Sequence, residues 1–177
     1  MSTATKASRP QLRLVTGQQA AQTEWAWFCG HCAARAPGDQ PPAPIARVCR
    51  SCGLGLLLEA PAQALPSTRD AYLVIDSGLL VQAMSRRAET LLAMTEEVAV
   101  HRPLSELLVP ADAEAARAGG FAAAVADAMS GEDRVGHAFV RPWNTFGVRM
   151  RVRIAPCGPP RAVLLVLEAQ RSNLKLV

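Results

Sequence analysis

Aromatic residues are scarce in this chain: three Trp, four Phe and one Tyr among 177 residues. With half of the residues apolar, a core must therefore be assembled mainly from Ala, Leu and Val. Long hydrophobic runs are missing as well. No uninterrupted apolar stretch reaches the roughly 18 residues that a membrane-spanning helix needs, so no membrane association is expected. The N-terminal "MSTATKASRPQLRLVTGQQ" has no apolar core of the kind a secretory leader carries. These absences point to the cytoplasm, where paired cysteines serve metals or catalysis more often than structural disulfides. The bias toward Ala, Arg and Pro resembles that of a GC-rich bacterial genome.

Charge of one sign is in short supply too. The net charge is +4. Residues 1–60 hold six basic and three acidic side chains, and residues 61–177 hold thirteen and twelve. So mild a bias fits solubility and allows an acidic or nucleic-acid partner without demanding one.

What the chain does have is cysteine in pairs. "WAWFCGHCAAR" contains Cys29-Gly-His-Cys32, and "VCRSCGLG" contains Cys49-Arg-Ser-Cys52. The first pair alone would suit a thiol-disulfide oxidoreductase. That chemistry needs a helix beginning at the first thiol, whose N–H groups and dipole lower its pKa. Here Pro37, Pro41, Pro42 and Pro44 follow, and they oppose such a helix. The complete spacing, Cys-x2-Cys-x16-Cys-x2-Cys, suits four thiolates around one Zn²⁺. Four thiolates leave a local charge of −2, with His31, Arg35, Arg47 and Arg50 near in sequence to offset it. Gly53 supplies a permissive backbone after the second pair, whereas Gly30 lies inside the first. Trp25, Trp27, Ile45, Val48 and Leu54 would form a small core beside the metal.

This segment resembles a zinc ribbon over Trp25 to Leu58. The resemblance implies one structural zinc held by Cys29, Cys32, Cys49 and Cys52, with no coordination position left for substrate. His31 reads as a substitute for one ligand or as an exposed side chain, with exposure the preferred reading.

The remainder divides by composition. Residues 1–22 are a polar tail, 23–58 the ribbon, 59–68 a linker with two prolines, 69–168 a larger domain, and 169–177 a second tail. In the larger domain, Ala71–Ile75 and Leu79–Met84 read as strands joined by a turn at Asp76-Ser77-Gly78. Ser85 is a candidate N-cap for a helix whose apolar face is Ala88, Leu91 and Leu92. A short helix is expected from Leu104 to Leu108, then two helical pieces split at Gly119-Gly120. In the second, Phe121, Val125 and Met129 form one stripe. Three strands close the domain: "GHAFVRPW", "GVRMRVRIA" and "RAVLLVLEA", the last apolar enough to be central. In the middle one Val148, Met150, Val152 and Ile154 alternate with Arg149, Arg151 and Arg153, as on a sheet with one face in water.

Strand, strand, short helices, then three strands is an order that resembles the PAS family over Arg69 to Glu168. "YLVIDSGLLVQAMSRRAETLL" looks like its opening hairpin and helix, and "RPLSELLVPAD" like its usual connection, with His101 where Gly is usual. The fold class expected is α+β: a five-stranded antiparallel PAS-like sheet with helices over one face, plus the ribbon. The family implies sensing, signalling or dimerisation. Flavin photosensors need a cysteine near "HRPLSELL", and haem-binding members need a His on "GFAAAVADAM"; both are missing, so neither cofactor is expected. An apolar pocket, if present, would be lined by Leu92, Leu104, Leu108, Phe121, Val125, Met150 and Val152. Arg149, Arg151 and Arg153 offer a face for an acidic partner or nucleic acid, or a solvated face matched by cross-strand carboxylates. Cys157 reads as a free thiol. The sequence thus describes a non-enzymatic regulatory protein with a protein partner, a homodimer through the PAS-like domain, and a place in transcriptional control. The second reading is a nucleic-acid-binding ribbon protein.

Overall fold

The computed structural model describes residues 23–36, 42–43, 46–111, 120–145 and 148–168. The two tails, Ile45 and the helical piece expected before Gly119 lie outside the described residues. The described residues build eight strands and three α-helices: β1 (Trp25–Cys29), β2 (Leu57–Pro61), β3 (Ala71–Asp76), β4 (Val81–Met84), α1 (Arg86–Leu92), α2 (Glu96–Ala99), β5 (Leu108–Pro110), α3 (Gly120–Ser130), β6 (Gly136–Pro142), β7 (Met150–Cys157) and β8 (Ala162–Glu168). β1 and β2 pair antiparallel as a separate ribbon, and the rest form one sheet in the order β4-β3-β8-β7-β6-β5. Every pairing in it is antiparallel.

The mixed α+β arrangement follows from local chemistry. The β3–β4 turn is tied by Asp76, whose Oδ1 accepts the N–H groups of Gly78 and Leu80 at 2.8 and 3.0 Å. Ser85 is buried at the N-cap of α1, where its hydroxyl accepts from Ala88 N and Tyr72 N and donates to Asp70 O. One side chain thereby joins the helix start to the sheet. β8 is central and buried along almost its whole length. Val163, Leu165 and Leu167 join the core under the helices, while Leu164 and Val166 join a second core on the opposite face. A strand covered on both sides must be apolar throughout, which explains the unbroken "AVLLVL".

Three expectations need correction. The sheet has six strands, because Leu108–Pro110 pairs with β6 instead of ending a helix. Only Leu104–Glu106 is helical there, as a 3-10 turn. Residues 59–68 are not a free linker. Glu59, Ala60 and Pro61 complete β2, a 3-10 turn follows at Ala62–Ala64, and Ala60, Ala64 and Leu65 are buried. Val148, expected on the core face, stands outside β7 and is exposed.

Candidate metal centre and the ribbon–sheet junction

β1 delivers Cys29 at its last position, opposite Leu57 of β2. The chain then turns, with Ala33 N donating to Cys29 O at 3.0 Å. The second pair repeats the device, with Gly53 N donating to Cys49 O at 2.8 Å. Ala33 and Gly53 occupy the same left-handed position, with φ of 59° and 70°. In the first turn the residue that glycine would suit is thus Ala33, outside the cysteine pair.

These turns bring the four sulfurs together. Cys29 Sγ is 3.7 Å from Cys52 Sγ, and Cys32 Sγ is 3.8 Å from Cys49 Sγ. All four lie within 4.8 Å of one another. A tetrahedral ion with metal–sulfur bonds of about 2.3 Å requires sulfur edges of about 3.8 Å. The four thiols therefore fit one metal ion. Backbone donors point at the sulfurs: His31 N and Cys32 N at Cys29 Sγ, and Gly55 N at Cys52 Sγ, each at 3.4 Å. Burial pushes the Cys29 thiol up despite its two N–H donors. At Cys52 burial opposes ionisation, but the N–H groups of Gly55 and Leu54 and the Cys29 and Cys32 side chains together outweigh it and bring the thiol down to about 6. A side chain at Gly55 would overlap Cys29 Sγ and reach within 2.7 Å of His31 Cβ, so only glycine fits there.

The small core beside the sulfurs consists of Trp27, Cys29, Cys49 and Leu57. Val48 and Leu54, expected in it, are 51% and 74% exposed. The other side of the ribbon explains this: its apolar residues turn to the sheet. Phe28, Ala33, Leu58, Ala60 and Leu65 pack against Tyr72, Val74, Cys157, Ala162, Leu164 and Val166. The Phe28 and Tyr72 rings meet edge to face at 6.4 Å. Glu59 and Gly158 exchange backbone hydrogen bonds. The Tyr72 hydroxyl donates to Cys29 O at 3.2 Å, which hangs a ligand-bearing residue directly on β3. Burial, then the nearby Cys29 sulfur, hold that hydroxyl above its usual pKa.

His31 is also part of the junction. Its Nδ1 lies 2.8 Å from Glu96 Oε2, and Glu96 Oε1 accepts Met84 N at 2.9 Å. Glu89 Oε1 in turn accepts Glu96 N at 2.7 Å. The side chain expected in water is instead half-buried and tied to α2. The 65-residue separation of His31 and Glu96 left no trace in the sequence. A cavity of about 420 Å³ beside Cys32 and Cys52 is lined by Arg86 and Arg87 of α1. The cation supply near the sulfurs thus comes partly from the larger domain, while Arg47 donates to Pro159 O.

The remaining sequence candidates fall as follows. Leu92, Leu104, Leu108, Phe121, Val125, Met150 and Val152 are all buried and all belong to the core between sheet and helices. Arg151 and Arg153 share Glu168, with Nε–O distances of 3.7 and 3.2 Å. Arg149 lies 3.9 Å over the Phe139 ring. Cys157 is buried, and that burial pushes its thiol up to about 12. Among the described residues no helix is long and apolar enough to cross a membrane.

No family model matches this chain, and no curated protein matches it. Solved structures do. A chain of the E. coli DhaR(N)–DhaL complex aligns with 57% of this chain at 16% identity and a TM-score of 0.38. The PAS domain of a Colwellia psychrerythraea protein aligns with 56% at 20% identity and a TM-score of 0.41. The alignments span 32% and 84% of those two chains, so this chain covers about a third of the first.

Proposed function

We propose that this chain is a non-enzymatic regulatory module of bacterial type. One structural Zn²⁺, held by Cys29, Cys32, Cys49 and Cys52, fixes a ribbon onto the outer face of a PAS-like sensory or protein-interaction domain. The module contacts a protein partner in the control of transcription. The observation that carries the reading is the four-sulfur tetrahedron docked on the sheet through Tyr72 and His31. Four protein ligands complete zinc's preferred shell, so the ion stabilises and does not activate a substrate. Zinc fits the donor set best because its d¹⁰ shell accepts a tetrahedral S₄ site without a redox change. Cys29 ends a strand instead of starting a helix, which weighs against disulfide exchange.

The nucleic-acid reading receives less support. Glu168 matches one of the three guanidinium charges, and Arg149 keeps its own over the Phe139 ring, so the ladder offers phosphates a net of two charges, too few for a strongly salt-dependent grip. A homodimer through the β3–β8 half of the outer sheet face would have to displace the ribbon.

Metal analysis of the purified chain tests the proposal. One zinc per chain is expected, and replacement by Co²⁺ should give the visible spectrum of a tetrahedral S₄ site. A metal-free protein with a Cys29–Cys32 disulfide and insulin-reductase activity would overturn it.

A further inference from the structure

A roomy cavity lies outside the core between sheet and helices. About 650 Å³ opens between the second cysteine turn of the ribbon, the β3–β4 hairpin and α2. Leu56, Leu58, Val74 and Ala83 form its floor, and Asp76, Glu96, Glu97 and Arg161 stand around it. Leu54 and Leu56, also lining it, are 74% and 54% exposed, so two large apolar side chains face water where the cleft begins. Clefts of this size at the junction of two structural units, apolar with a few fixed polar groups, suit small organic ligands.

Charge selects among such ligands. Three carboxylates and one guanidinium line the cleft, and His31, also in its wall, pairs with one of the carboxylates, Glu96. Two of the carboxylates are held rigidly: Asp76 by Gly78 N, Leu80 N and the Gln82 amide, Glu96 by His31 and Met84 N. Glu97 is exposed and has no ion pair among the described residues. The negative field is therefore built into the scaffold, which spares a ligand the cost of ordering it.

We infer that the ribbon–sheet cleft binds a small amphipathic cation, its apolar body on Leu56, Leu58 and Val74 and its ammonium toward Glu97 and Asp76. The seven core residues of the PAS-like domain then serve packing, and the sensory site is the seam itself. This rests on the metal-held ribbon proposed above, because Gly30, His31 and Gly55, which flank Cys29, are part of the wall.

Calorimetry on the full zinc-loaded chain tests the cleft with three probes: tryptamine, indole-3-propionate of similar size and opposite charge, and putrescine, which lacks an apolar body. Tryptamine should bind at least about tenfold more tightly than either of the others. Glu97→Lys should remove most of the preference over the carboxylate probe. Leu56→Ser should weaken tryptamine alone. Both positions are exposed, and zinc content measured on each sample checks that the ribbon is intact. Equal affinity for tryptamine and indole-3-propionate, or no response to Glu97→Lys in a zinc-loaded protein, would overturn the cleft and leave the metal reading standing. Charge-selective binding by a chain that holds no metal would uphold the cleft and remove the metal reading.

Discussion

The ribbon and the larger domain reach order by opposite means. The sheet and its helices bury 21 residues in one apolar cluster, and such a core supports itself through the hydrophobic effect. The ribbon's own buried cluster has four members, two of which are cysteines. Its apolar residues instead go to the second core, shared with the outer sheet face. The ribbon thus leans on a neighbouring surface and, on the function proposed above, on a metal ion. The larger domain in turn depends on the ribbon to cover the outer sides of β3 and β8. Small units bury too little surface to fold alone, and this chain solves that problem by sharing.

Withdrawing the metal should break the comparison most sharply. Structural zinc contributes on the order of 10 kcal/mol or more to a small site, so chelation or Cys49→Ser should unfold the ribbon while the six-stranded sheet persists. Hydrogen exchange would show protection lost over β1 and β2 and kept over β7 and β8. Simultaneous loss in both regions would mean that they form one cooperative unit. Next in size, Leu165→Ala should cost about 2–5 kcal/mol by opening a cavity in the helix-side core, read as a lower denaturation midpoint with zinc content unchanged. Tyr72→Phe removes only the hydroxyl bonded to Cys29 O and should cost about 1 kcal/mol, visible as faster zinc transfer to a competing chelator.

The smallest effect concerns Cys157. Its folded thiol is pushed up to about 12 by burial, above the usual 8.5 or so of an unfolded cysteine. The folded state then holds its proton more tightly, so the contribution is complete below about pH 8.5 and declines as pH rises toward 12. Between pH 8 and 9 the loss should be about 0.7 kcal/mol, and thiol reagents should label Cys157 at pH 8 only after unfolding. Rapid labelling of the native protein would show the seam to be open.

The legible and illegible parts of the sequence follow the same division. Cysteine spacing announced the four-sulfur cluster because turn geometry is local within each pair. Asp76 and Ser85 announced a turn and a cap because each acts on backbone a few residues away. The alternation from Met150 to Ile154 announced a sheet face because period two is a property of the strand itself. Residues 59–68 were misleading because Ala60, Ala64 and Leu65 are buried by a surface formed elsewhere in the chain, and no periodicity records that. Leu108–Pro110 became a strand through pairing with β6, which overrode its helical appearance. The outward turn of Val48 and Leu54 was hidden for the same reason. His31 met Glu96 through tertiary packing alone.

A strand with oily residues on both sides is safe only while both sides are dressed. Were the clasp of sulfurs to open, Tyr72, Val74, Leu164 and Val166 would form a bare strip of the kind that chaperones grip and proteases follow. If a metal ion is what closes that clasp, the lifetime of each molecule would track the local supply of the ion, with no dedicated regulator required.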